Sequence, residues 1–321
     1  MSQIFDALLR SEAERSGNAT AKDAGSTQLL QHVEEQVASK WGAVDSLDSR
    51  MTSESDSQRA FNAEISYQLR ENTAATAVFE VENHPDVWSA FQSLQVDHSP
   101  EQRLVCYTDN ASPTAEAFRL LSVRLRDLRQ VRPLKKVLIT SSVPQEGKST
   151  VAANLAWALA RKAEERTLLL DGDVRRPAQL RIHNLSNVPG LCELLQGSRS
   201  LTESIYRLED NGPWLMPAGR APNDPLELFQ SAKLPLLMEQ LASLFDWIIV
   251  DSPPVLPLAD TSVWTRLVDG TLLVTREGTT AKRLLERGLK ALDTGKLIGA
   301  LLNCAQTSTY NSYYYNRHPE S

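Results

Sequence analysis

Cysteine is scarce: Cys106, Cys192 and Cys304 are the only three in 321 residues. Odd in number and far apart, they build neither a disulfide framework nor a clustered zinc site, and a reducing cytoplasm suits them. Positive charge is not in excess either. The 34 basic residues face 40 acidic ones, a formal charge of −6, which argues against a general polyanion binder, nucleic acid included. A direct membrane span is not expected, because one needs about 20 mostly apolar residues. The longest charge-free stretch, 297–316, turns into Asn, Gln, Ser, Thr and Tyr halfway. The start, Met1-Ser2-Gln3-Ile4-Phe5-Asp6, lacks a basic segment followed by an apolar core, so secretion is not predicted. The five histidines, His32, His84, His98, His183 and His318, show no ligand spacing, and no metal site is expected from them.

What is present divides the chain in two. Residues 1–100 carry 16 acidic and 7 basic residues, whereas 101–321 carry 24 and 27. The first part is rich in Ser, Ala, Gln and Glu with thinly spread apolar residues, the composition of a linker that cannot bury a core. Pairs at spacing four, Leu29-Val33-Val37 and Phe61-Ile65-Leu69, predict at most short transient helices. From Leu104 onward, unbroken apolar runs alternate with helical patterns. The runs are 137–139, 168–170, 247–250, 272–274 and 297–302, and they suit strands buried on both faces of a parallel sheet. Between them lie a helix predicted over 151–163, with Val151, Leu155 and Leu159 on one stripe, and another carrying Leu284, Gly288 and Leu292. The fold class is therefore α/β, a mostly parallel sheet with helices on both faces, preceded by a largely disordered or weakly helical region.

The first run ends in Thr140-Ser141-Ser142-Val143-Pro144-Gln145-Glu146-Gly147-Lys148-Ser149-Thr150, and a helix follows at once. This is a P-loop between a strand and a helix. Such a loop aims backbone N–H groups at phosphates, and the helix adds the positive end of its dipole. Gly147 lets the backbone approach, Lys148 reaches the β- and γ-phosphates, and the Ser149 hydroxyl suits Mg2+. The leading glycine of the usual pattern is Ser142. The whole loop, Ser142, Val143, Pro144, Gln145, Glu146, Gly147, Lys148, Ser149 and Thr150, is assigned to nucleotide binding.

Two further motifs end in aspartates. Leu168-Leu169-Leu170 leads to Asp171-Gly172-Asp173-Val174-Arg175-Arg176-Pro177, and Trp247-Ile248-Ile249-Val250 leads to Asp251-Ser252-Pro253-Pro254. Carboxylates at the ends of parallel strands lie where open α/β sheets bind ligands. Asp171 and Asp173 are placed to hold the metal shell or accept a proton, and Asp251 is placed as a Walker B carboxylate.

With these three motifs in order, the region from Arg103 to Asn303 resembles the bacterial tyrosine kinases of exopolysaccharide synthesis. Pro189-Gly190-Leu191 before Glu193-Leu194-Leu195, and Pro217-Ala218-Gly219 before Asn223, Pro225 and Glu227-Leu228, extend the likeness. The resemblance implies a P-loop NTPase-like scaffold, related to the partitioning ATPases, that moves the γ-phosphoryl group of Mg-ATP to tyrosine. It implies Lys148, Asp171, Asp173, Arg175 and Asp251 as catalytic residues, Ser149, Asp171 and Asp251 around the metal, and Asn303 as an adenine-reading residue. The partitioning ATPases place a signature lysine at the second loop position, where this chain has Val143.

Four of the seven tyrosines, Tyr310, Tyr313, Tyr314 and Tyr315, fall in the last twelve residues. Polar, terminal and aromatic together, they are the expected phosphoacceptors. The seven residues from Asn303 to Tyr310 reach at most about 25 Å, which does not separate modification within a chain from modification between chains; the resemblance points to a ring in which one tail enters its neighbour's site. A helix opened by Ser112-Pro113 carries Phe118, Leu121, Leu125 and Leu128 on one stripe. Its Glu116 and Arg119 match the family's Glu-x-x-Arg-x-x-Arg oligomer contact, but the third position is Ser122, with Arg124 or Arg126 as substitutes. Ile4, Phe5, Leu8 and Leu9 form a short apolar face without cationic excess, so a protein groove is expected to receive it rather than lipid. The expected organisation is a docking helix at 1–16, an acidic linker at 17–102, a kinase domain at 103–305 and a tail at 306–321. The expected partner is a membrane protein of the chain-length-determinant type, recruiting a cytoplasmic kinase to the inner face of the membrane. A P-loop ATPase switch and a nucleotide-binding scaffold are the alternatives.

Overall fold

The computed structural model describes residues 87–96, 103–256 and 260–305. Eight strands among them form one sheet: β1 (Gln92–Leu94), β2 (Lys136–Ser141), β3 (Thr167–Asp171), β4 (Tyr206–Leu208), β5 (Trp214–Met216), β6 (Trp247–Asp251), β7 (Gly270–Arg276) and β8 (Leu297–Asn303). Their order is β1-β4-β5-β3-β6-β2-β7-β8. All neighbours pair in parallel except β4 and β5. The helices are α1 (Val105–Thr108), α2 (Pro113–Val131), α3 (Lys148–Ala160), α4 (Gln179–Ile182), α5 (Leu191–Gln196), α6 (Pro225–Gln230), α7 (Lys233–Leu244), α8 (Asp260–Leu267) and α9 (Lys282–Ala291).

The apolar runs follow from burial on both faces. Along β2, β3 and β6, Leu138, Leu168, Leu170, Ile248 and Val250 enter one core. Their immediate neighbours Val137, Ile139, Leu169, Trp247 and Ile249 enter the other, as the two-residue alternation of a strand requires. Apolar side chains are therefore needed at successive positions. Against the second core lies α3, whose Val151, Leu155 and Leu159 are buried together with Ala152, Ala153, Ala156 and Ala158. It begins at Lys148 and from Val151 onward is buried on every side, so small alanines fill the faces beside the predicted apolar stripe. Ser112 caps α2, its hydroxyl accepting the Ala115 N–H at 3.2 Å, with Pro113 in the first turn. The stripe of α2 packs inward through Leu125, Phe118, Leu121 and Leu128. Cys106, Cys192 and Cys304 are free thiols. Burial pushes the thiols of Cys106 and Cys192 up to about 12, which leaves neither as a nucleophile near neutral pH.

One segment departs from the expected organisation. Residues 87–96, read from composition as linker, form a 3-10 turn (Val87–Ala90) and then β1, which pairs in parallel with β4. Phe91 is buried and Trp88 packs on Phe91, Trp214 and Phe245 with ring centroids 5.2–5.7 Å apart. The Arg166 guanidinium lies 4.1 Å from the Trp88 ring centroid. Two aromatic rings supply enough apolar area to anchor a stretch that is otherwise polar. The docking helix at 1–16, the rest of the acidic linker and the tail at 306–321 lie outside the described residues. Among the described residues no helix is long and apolar enough to cross a membrane.

Candidate functional site

Strand order and register bring the three motifs together. β6 lies between β3 and β2, and Asp171 stands directly opposite Asp251. The Gly172 N–H donates to the Asp251 carbonyl at 2.8 Å, and Ile139 of β2 also pairs with Asp251. The P-loop leaves β2 two residues further on, so loop and carboxylates share the carboxyl edge of the sheet.

The loop is braced from within. Gly147 adopts φ +90° ahead of α3, and a Cβ there would stand 2.1 Å from the Asn303 amide nitrogen, so both the conformation and the close approach require glycine. Asn303, at the end of β8, donates through Nδ2 to the Glu146 carbonyl at 2.9 Å. The Glu146 carboxylate turns back into the loop, accepting the Val143 N–H at 2.9 Å and the Thr280 hydroxyl. Ser142 is fully buried, with no hydrogen-bond partner for its hydroxyl, and packs on Gly288 of α9.

Lys148 is the cation at the centre. Its Nζ lies 2.9 Å from Asp173 Oδ2, 3.4 Å from Asp251 Oδ1 and 3.1 Å from the Ser149 hydroxyl. Burial pulls the ammonium's pKa down, but Asp251 and Asp173 outweigh it and hold the group above its ordinary value. Asp251 is raised by burial, with Lys148 opposing. Asp171 is raised by burial and then by Asp251. Asp171 Oδ2 accepts the N–H groups of Ala178 and Gln179 at 3.0 and 2.9 Å, while its buried Oδ1 has no hydrogen-bond partner. Asp173 Oδ1 accepts the Arg176 N–H at 3.1 Å.

This donor set fits Mg2+. The ion is held by one or two carboxylates completed by phosphates and water, not by an all-protein cage. Among the described residues no group of three or more His, Cys, Asp or Glu forms such a cage. The Ser149 hydroxyl and the Asp251 carboxylate both face the Lys148 ammonium, and Asp171 Oδ1 is a buried oxygen with no hydrogen-bond partner.

Other predicted residues sit further out. Arg175 is paired with buried Asp260 at the start of α8, Nε to Oδ2 at 2.5 Å and a second contact at 3.3 Å. Glu116 and Arg119 pair with each other on α2. Of the two proposed substitutes in that pattern, Arg126 is bound to Glu165 at 2.9 Å and to the Leu159 carbonyl. Tyr310, Tyr313, Tyr314 and Tyr315 lie outside the described residues. Sequence reasoning missed Gln179, Asp260 and Thr280, none of which belongs to a recognisable motif. Gln179 donates to Asp251 Oδ2 at 2.8 Å and to the Ser149 carbonyl at 3.1 Å.

Residues 138–307, more than half of the chain, match the family model described as cellulose biosynthesis protein BcsQ. The tyrosine-protein kinase YwqD of Bacillus subtilis is 31% identical over 217 residues, which cover 67% of this chain and 91% of that relative. The chain belongs to the bacterial tyrosine kinases. The putative tyrosine-protein kinase CapB of Staphylococcus aureus is 32% identical over 206 residues, covering 64% of this chain and 90% of CapB. Among solved structures, the kinase domain of Escherichia coli tyrosine kinase ETK superposes with a TM-score of 0.59 at 27% identity, covering 64% of this chain and 82% of that one. The motifs at 142–150, 171–177 and 248–254 fall within the span that the family model matches, and the mostly parallel sheet is the shared scaffold. The bacterial tyrosine kinases are enzymes, and the Lys148 cluster is the candidate active site.

Proposed function

We propose that this kinase transfers the γ-phosphoryl group of Mg-ATP to Tyr310, Tyr313, Tyr314 and Tyr315 of its own tail, and that this controls exopolysaccharide synthesis or export. The observation that carries the reading is the Lys148 ammonium held between Asp173 and Asp251 at the mouth of the P-loop. Phosphoryl transfer asks little covalent chemistry of the protein; it asks for position and for charge opposite the transferring oxygens.

Each residue then has a task. Backbone N–H groups of 145–149, at the end of the loop and the start of α3, hold the phosphates. Lys148 moves from its two carboxylates onto the β- and γ-oxygens and balances the charge that spreads there in transit. Ser149 and Asp251 would hold Mg2+, which would supply charge neutralisation at the phosphates. Asp173, freed by Lys148, takes the tyrosine hydroxyl proton as the bond from phenol oxygen to phosphorus forms and the bond to the β-phosphate breaks, leaving ADP. Asp171 serves this role less well, since two backbone N–H groups already occupy Oδ2 and burial keeps its proton on. Arg175 steadies charge at the rim once it leaves Asp260, and Asn303 reads the base beside Glu146.

Tails enter neighbouring sites in a homo-oligomeric ring whose contact includes Glu116 and Arg119. Four phosphates, each about −1.5 to −2, oppose that contact by repulsion. A membrane protein of the chain-length-determinant type binds residues 1–16 and brings the kinase to the inner face of the membrane. Incubation with γ-labelled ATP separates this reading from an ATPase switch or scaffold: label on tyrosine supports the kinase, and label released only as phosphate, or not released at all, refutes it.

A further inference from the structure

Gln179 joins all three phosphate-site motifs, although it belongs to none of them. It opens α4 and is fully buried. Its side-chain amide spends both hydrogens on the site, one on Asp251 Oδ2 at 2.8 Å and one on the Ser149 carbonyl at 3.1 Å. The Ser149 carbonyl can only accept, so the NH2 end must face it; a flipped amide would set two oxygens together there. The other end, Oε1, is buried with no hydrogen-bond partner.

The backbone of the same residue is fixed just as firmly. Its N–H donates to Asp171 Oδ2 at 2.9 Å. Its carbonyl lies 2.8 Å from Nδ1 of buried His183, whose Nε2 lies 3.1 Å from the Trp157 indole nitrogen. Indole can only donate, so Nε2 accepts and Nδ1 carries the hydrogen toward Gln179. Trp157 itself belongs to α3, the helix that Lys148 and Ser149 begin. The result is a closed bracket from α3 through His183 and Gln179 back to Ser149 and Asp251.

We infer that Gln179 is a positioning residue for the metal end of the site. One oxygen of Asp251 faces Lys148 and the other faces Gln179, so the carboxylate can turn only if one of the two lets go. The same amide holds the peptide of Ser149, whose hydroxyl is the second assigned ligand. A single side chain thereby sets the spacing of both Mg2+ ligands without touching the ion. Outer partners of this kind typically change metal affinity about 10- to 100-fold when removed.

The inference rests on the nucleotide-site reading, and its test does not require tyrosine as acceptor. In the full chain, binding of a fluorescent ATP analogue is measured in EDTA and across a Mg2+ series for wild type and Gln179→Leu. The variant should need about tenfold more Mg2+ or higher for half-maximal enhancement of binding, with affinity in EDTA within twofold of wild type. A Mg2+ requirement within twofold of wild type would overturn the assignment, as would an equal loss with and without Mg2+. Should the leucine variant fail to fold, Gln179→Asn carries the test, because its amide is one methylene too short to reach Asp251, and the same two results are expected or fatal. A wild-type chain that binds Mg-nucleotide but labels no tyrosine would sink the kinase reading and leave this measurement intact.

Discussion

Ser142 and Gly288 are fitted to each other: a Cβ on Gly288 would lie 2.4 Å from the Ser142 hydroxyl and 2.9 Å from its Cβ. Serine stands where the usual P-loop pattern has glycine, and α9 gives it room by having no side chain there. Gly288→Ala should therefore destabilise the protein by about 1–3 kcal/mol through overpacking, a loss of several degrees in thermal melting at roughly 2–4 °C per kcal/mol. Ser142→Gly in the same chain should restore most of it. If the double variant melts no higher than Gly288→Ala alone, the two positions are not coupled in this way.

The buried Asp171 makes stability depend on pH. Burial and then Asp251 raise its pKa, so the folded protein keeps a proton that the unfolded chain releases near pH 4. Its contribution is complete below about pH 4 and is lost as pH climbs toward the folded value. Asp171→Asn keeps an oxygen for the Ala178 and Gln179 N–H groups and puts an amide where Oδ1 has no partner. Melting without Mg2+ or nucleotide should show a gain at pH 8 that exceeds the gain at pH 5. Equal shifts at the two values would contradict the assignment.

Phe91 anchors β1 to the sheet. Phe91→Ala should cost about 3–5 kcal/mol, as other buried Phe to Ala changes do. The neighbouring exposed Gln92→Ala should stay within about 0.5 kcal/mol. Denaturant midpoints measure both; a change below about 1 kcal/mol for Phe91→Ala would place the folded unit's start after β1.

The parts read correctly from the amino acids carry their causes locally. Ile248-Ile249-Val250 must be apolar because both faces of β6 are covered, Ser112-Pro113 suits the first turn of α2, and Gly147 supplies the left-handed turn ahead of α3. The parts missed have causes far away in the chain. β1 is only Gln-Ser-Leu and is held by rings from Trp214 and Phe245, more than a hundred residues later. Arg175 meets Asp260 85 positions on, and Gln179 reaches Asp251 72 positions on. No spacing within a motif records such partners, because the sheet's strand order creates them. Alanine-rich α3 lies between these cases: its helical character is plain, but burial on every side is a property of the two layers that enclose it.

The proposed transfer of a phosphoryl group to the tail depends on Lys148. Purified full chain, produced in a host without such kinases and treated with a phosphatase, should be incubated with Mg-ATP and its carboxyl-terminal peptide weighed by mass spectrometry, beside Lys148→Met. Wild type should gain one or more phosphates on Tyr310, Tyr313, Tyr314 or Tyr315, and the variant none while it stays folded. An unmodified wild-type peptide, or phosphotyrosine persisting in the variant, would contradict it.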